Sequence, residues 1–218
     1  MLISHKHKFI TIDIPKTGSR SLRESLQPLK ILDIIGPPTK QSVFYQHQTA
    51  QECMRDMSDI DMKFNEYHSF CVVRNPWRRY YSFFKYYRHY LNKYIAKDPE
   101  IDWSNGVFTR QGESCKRLFE NRSDKQALRH LIMSQRPQHE YYSDAQNNNM
   151  ISHIAIFEDF DNEFVKFCTH VNVDAPALKH NNKSSSCIPM HDVYDQQLID
   201  MVAEKEKQVI KLNKYEFE

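Results

Sequence analysis

Residues 8–26 read KFITIDIPKTGSRSLRESL, and their interpretation decides the architecture. Ile10, Ile12 and Ile14 alternate with Phe9 and Thr11, a β-branched pattern suited to a strand buried inside a sheet. SRSLRESL is rich in helix formers, with Thr17 or Ser19 as the expected cap and a stop near Pro28. Strand, turn and helix thus follow within one short segment. A turn of this kind exposes peptide N–H groups and the positive end of a helix dipole, which favour a phosphate or sulfate. Gly18 allows close backbone approach, Lys16 adds a point charge, and Thr17, Ser19 and Ser21 add hydroxyls. The glycine-lysine pair of a nucleoside-triphosphatase loop is missing, so the turn is the wrong one for a kinase or an ATPase.

The same unit recurs downstream. HSFCVVR (68–74) predicts a second strand, followed at once by Pro76 and the helical run PWRRYYSFFKYYRHYLNKY. Trp77, Tyr80, Phe84, Tyr87 and Leu91 share one stripe of that helix, and Arg78, Ser82, Lys85 and His89 another. Arg74 ends the strand, where ligands bind in open α/β sheets, and an Arg fork with a hydroxyl such as Ser82 can share one phosphate. ISHIAIFEDF (151–160) predicts a third strand leading into a helix with Phe160, Phe164, Phe167 and Val171 at helical spacing. Thr49 with Glu52 has capping-box spacing. RSDKQALRHLIMS predicts another helix, residues 95–125 read as an irregular insertion, and the tail YDQQLIDMVAEKEKQVIKLNKYEF reads as one long amphipathic helix carrying Leu198, Val202, Val209 and Leu212. The expected fold is α/β: a single domain over residues 1–218 with a mainly parallel central sheet flanked by helices and a P-loop-like turn.

Composition narrows the function. The chain has 218 residues, 40% apolar and 27% charged, with a formal charge of +2, too balanced to steer a nucleic acid or a membrane at long range. The cysteines Cys53, Cys71, Cys115, Cys168 and Cys187 are five in number and show no C-x-x-C spacing, which predicts reduced thiols rather than a disulfide framework or a zinc ribbon. With no signal-like or membrane-length apolar run, the expectation is a cytoplasmic protein without a membrane span. His5 and His7 read as a frayed surface pair, and no metal-ligand spacing is visible.

Together, IPKTGSRSL and CVVRNPWRRYYSFF resemble the two nucleotide-binding signatures of sulfotransferases that use 3'-phosphoadenosine 5'-phosphosulfate (PAPS), especially the glycan O-sulfotransferase branch. YQHQTAQE, RPQHEYYSD, IAIFEDFDNEF, HNNKSSS and the closing YEF resemble further segments of that family. The resemblance implies transfer of a sulfuryl group to an acceptor hydroxyl, expected on a carbohydrate, with PAPS as donor and 3'-phosphoadenosine 5'-phosphate (PAP) as product, and no metal. It implies that Lys16, Thr17, Gly18, Ser19, Arg20 and Ser21 hold the phosphosulfate. Arg74 and Ser82 would hold the 3'-phosphate, and Lys183 and Ser184 would close over the nucleotide.

The acceptor must lose a proton as it attacks. His47 suits that task because histidine is unprotonated near neutral pH without special tuning. Glu24 is the rival, because KTGSRSLRE also resembles the segment of heparan sulfate 3-O-sulfotransferases in which a Glu is the base. An anionic glycan would suit Arg78, Arg79 and Lys85 if they face the cleft. The competing readings are a Mg-dependent nucleotide phosphotransferase and a non-catalytic nucleotide or nucleic-acid binding module. Oligomeric state does not follow from the sequence.

Overall fold

The computed structural model describes residues 1–35, 44–99, 101–102, 104–179 and 188–218. The strands are β1 (Leu2–Ser4), β2 (Phe9–Ile12), β3 (Ile34–Ile35), β4 (His68–Val73) and β5 (His153–Ile156). The helices are α1 (Ser19–Leu26), α2 (Ala50–Ser58), α3 (Pro76–Ala96), α4 (Gly106–Phe119), α5 (Asp124–Ser134), α6 (His139–Tyr142), α7 (Phe160–His170), α8 (Met190–Val193), α9 (Gln196–Lys205) and α10 (Lys207–Asn213). Contacts divide the chain into two compact units. The first comprises Met1–Asn75, Arg136–Asn181 and Lys211–Asn213; the second comprises Pro76–Gln135, Asn182–Ile210 and Lys214–Glu218.

The first unit holds a five-stranded sheet of order β3-β1-β2-β4-β5. The three strands expected from sequence, β2, β4 and β5, form its parallel half, with Ile12 opposite Cys71 and Val73 opposite Ile156. β1 and β3 extend it as antiparallel neighbours that the sequence reading had not placed. A buried cluster including Phe9, Leu22, Phe70, Phe160 and Phe167 packs α1 and α7 on the sheet. Thr49 and Glu52 form the expected capping box at the start of α2. His5 and His7 are tied down rather than frayed: their Nδ1 atoms lie 2.9 Å from the Tyr67 hydroxyl and 3.2 Å from the Val171 carbonyl.

The second unit is helical. Trp77, Tyr80 and Phe84 of α3 are buried with Leu128, Leu131 and Val202 in one cluster, and Leu91 is buried too, so the aromatic stripe packs as expected. Residues 95–125 are corrected from an irregular insertion: they contain α4, whose buried positions include Gly112, Cys115 and Leu118. Gly112 lets α4 approach Tyr94 of α3 closely, since a Cβ there would collide with the Tyr94 ring. The tail is likewise corrected. It breaks at Glu206 (φ −108°, ψ 17°) into α9 and α10, because the Glu206 carboxylate turns inward to accept from Arg79 Nη1 at 2.9 Å and the Tyr80 hydroxyl at 3.2 Å. Leu212, expected on the apolar stripe, is 59% exposed. Among the described residues no helix is long and apolar enough to cross a membrane.

Candidate functional site

The site is built on the turn that leaves β2. Lys16 and Gly18 adopt left-handed backbone conformations (φ 70° and 92°) on either side of Thr17. For lysine this conformation costs about 1–3 kcal/mol, strain that persists only where the surroundings enforce it. Alternation of this kind turns successive peptide N–H groups toward one side. Neither Thr17 nor Ser19 caps α1, contrary to expectation. Gly18 occupies the N-cap without a side-chain bond, and the buried Thr17 hydroxyl donates to the Ile14 carbonyl at 2.9 Å instead. Only glycine fits, because a Cβ at residue 18 would meet the Phe160 ring at 2.6 Å and the Phe157 ring at 3.1 Å. Beneath the turn lies a recess of about 10 Å³, lined by Asp13, Thr17, Ser19, Leu22 and Cys71. It has room for roughly one water molecule.

Arg74, at the end of β4, reaches that turn: Nη1 donates to the Lys16 carbonyl at 3.2 Å. Its guanidinium carbon lies 4.3 Å from the centre of the Phe157 ring. The Arg74 peptide is clamped by Gln138, whose Oε1 accepts from the Arg74 N–H and whose Nε2 donates to the Arg74 carbonyl, both at 2.9 Å. The next peptide N–H, of Asn75, donates to Glu158 Oε1 at 2.9 Å. Gln138, Phe157 and Glu158 escaped the residue-by-residue reading. Their only signal was that they sit in RPQHEYYSD and IAIFEDFDNEF.

His47 (φ 66°) stands ahead of α2 and places Nδ1 2.8 Å from the Asp13 carbonyl. A ring that donates from Nδ1 to a carbonyl presents Nε2 as an unprotonated acceptor. Burial pushes the His47 pKa below the ordinary histidine value, against the opposing pull of the Asp13 hydrogen bond. The Asp13 carboxylate is itself buried, contacting the Met1 amine, Thr11 Oγ1 at 3.3 Å and Arg23 Nη2 at 3.5 Å. Glu24 is differently engaged: its Oε1 accepts from Arg20 Nε at 2.6 Å along α1, with Arg20 65% and Glu24 28% exposed. Lys16 is half-buried and Ser21 is buried.

The first unit therefore brings together Lys16, Thr17, Gly18, Ser19 and Arg74, with His47 joined through Asp13. Ser82 is half-buried on α3 in the second unit, and Lys183 and Ser184 lie outside the described residues. Arg79 is corrected: it is fully buried against Glu206 rather than a cation facing a cleft. Arg78 pairs with Glu218 at 3.1 Å, and Lys85 lies 5.0 Å above the Tyr81 ring. Among the described residues no three His, Cys, Asp or Glu side chains converge as metal ligands. Compared with protein-family models, curated proteins and solved structures, the chain matches none.

Proposed function

We propose that the protein is a sulfotransferase that moves the sulfuryl group of PAPS to an acceptor hydroxyl, with a carbohydrate as the acceptor class the sequence resemblance favours. The observation that carries this reading is the hydrogen bond from Arg74 to the Lys16 carbonyl. It joins the two segments that the resemblance assigns to opposite ends of the donor nucleotide. The chemistry of the residues fits an anion. Lys16 and Arg74 are cationic, and the turn between them offers peptide N–H groups.

PAPS, when bound, supplies an activated sulfuryl group. Sulfuryl transfer, like phosphoryl transfer, depends mainly on positioning and charge stabilisation. Lys16 and the peptide N–H groups after it neutralise charge that builds on the departing phosphate oxygen; one well-aimed donor is worth about 3 kcal/mol in comparable sites. Arg74 offers the paired N–H donors that match a phosphate. His47 is the preferred base over Glu24. Its Nδ1 is committed to Asp13, so Nε2 receives the acceptor proton, whereas the Glu24 carboxylate is engaged by Arg20.

Calorimetric titration without metal tests the reading, using PAP, AMP and ATP on the wild type and on Arg74→Ala. The expected result is micromolar binding of PAP that weakens without the 3'-phosphate and in the variant, together with PAP release from PAPS when a glycan acceptor is present. ATP binding that requires Mg2+ would replace this reading with a phosphotransferase. Nucleotide affinity with a steep salt dependence and no turnover would replace it with a binding module.

A further inference from the structure

We propose that Gln138 is a positioning residue that aims Arg74, and that through this aim it sets the preference for a 3'-phosphorylated nucleotide. The role rests on the donor-site reading above. The ladder around β4 stops short of residue 74: pairing with β2 ends at Cys71 and pairing with β5 ends at Val73. The Arg74 peptide therefore lies just past both neighbouring strands. Gln138 takes the place of a strand there. Its planar amide accepts from the Arg74 N–H and donates to the Arg74 carbonyl, as an adjacent peptide would.

Gln138 is fully buried and precedes α6 at the N-cap position without capping it, so its side chain is committed to Arg74 rather than to its own helix. The segment is anchored nearby: Arg136 lies 3.7 Å from Glu52, and Tyr141 is buried. Glu158 holds the Asn75 N–H that follows, and Phe157 lies under the Arg74 guanidinium. Removing the amide takes a hydrogen-bond partner from the part-buried Arg74 N–H and carbonyl. The strand end can then rotate, and the guanidinium swings with it. Displacements of about 1 Å at such positions cost as much as a hundredfold in comparable sites.

The test compares the affinity ratio of PAP to AMP, by calorimetry, in wild type, Gln138→Leu, Gln138→Glu and Arg74→Ala, with thermal melts in parallel. Gln138→Glu keeps the size and the acceptor but loses the donor, and so guards against a variant that merely fails to fold. The expected result is a ratio reduced by about tenfold or more in both Gln138 variants, PAP losing more affinity than AMP. In an Arg74→Ala background, replacing Gln138 should change the ratio no further. Equal weakening of PAP and AMP, or a ratio that survives in both variants while Arg74→Ala abolishes it, would overturn the role of Gln138 alone. A wild-type protein with no preference for PAP would overturn the donor reading and this role together. Amide exchange in the wild type gives an independent check: slow exchange at the Arg74 N–H supports the clamp, and exchange as fast as in an open loop refutes it.

Discussion

Arg74 and Arg79 are near neighbours in sequence, yet they serve their two units in opposite ways. Arg79 is fully buried in the helical unit and gives its charge to Glu206. Arg74 is half-buried in the sheet unit, and its partners include a peptide carbonyl and an aromatic face, groups without charge. A buried carboxylate cancels a guanidinium and makes it part of the scaffold. A peptide carbonyl and an aromatic face orient a guanidinium without cancelling its charge. The environment, rather than the residue type, separates a structural arginine from the one proposed to bind an anion.

The sharpest test of this contrast is to remove each charge. Arg79→Ala strands the Glu206 carboxylate in a closed core and should cost about 3–5 kcal/mol, measured by urea unfolding. Arg79→Met combined with Glu206→Leu should recover most of that loss. Arg74→Ala should leave the urea midpoint nearly unchanged while abolishing the PAP preference; a large stability loss there would erase the distinction.

The base comes next. His47→Gln should lower turnover by about a hundredfold with nucleotide affinity retained, whereas Glu24→Gln should have a much smaller effect. A histidine base must be neutral to act, and burial lowers the His47 pKa. The rate should therefore hold below the pH where an ordinary histidine titrates, then fall as the pH approaches the lowered value.

Gly18→Ala asks whether the turn tolerates relaxation. The left-handed backbone and the contact with Phe160 together should cost about 2 kcal/mol or more, read from thermal or urea unfolding, and nucleotide binding should weaken with it.

The mildest effect separates the units by pH. Burial, with the rings of His170 and His153 beside it, pushes the His68 imidazole down to about 4 from an ordinary 6.5. His170 stacks on His68 at 3.8 Å between ring centres, while His153 is held 2.7 Å from Glu163. Between those pH values the unfolded chain takes up a proton that the folded one refuses. Stability is thus complete above pH 6.5 and falls as the pH drops toward 4. Melting should shift down by a few degrees in that window, and His68→Phe should flatten the dependence.

The parallel half of the sheet was legible because β2, β4 and β5 carry dense β-branched or aromatic runs ahead of clear turn or helix signals. β1 and β3 were not, since strands of three and two residues are too short to show a period. α4 was hidden by its polar composition, with Cys115 and Leu118 among its few buried apolar positions in the described residues. The break at Glu206 depends on Arg79, a partner 127 residues away, and no local pattern announces it. In the site, the Lys16 turn and Arg74 could be read from their places at strand ends. The Gln138 clamp could not, because an amide that replaces a strand leaves no periodic trace.

That clamp also bears on how the chain comes to be folded. Both units are discontinuous in sequence, but the helical unit draws more on neighbouring helices, α3 with α4 and α5. Arg74 must find Lys16 at a separation of 58 residues and Gln138 at 64. Local contacts form early and distant ones late, so the helices have a head start. A chain halted on the ribosome before residue 138 carries every residue of the anion turn, together with the arginine that reaches it, but not yet the amide that gives the arginine its direction.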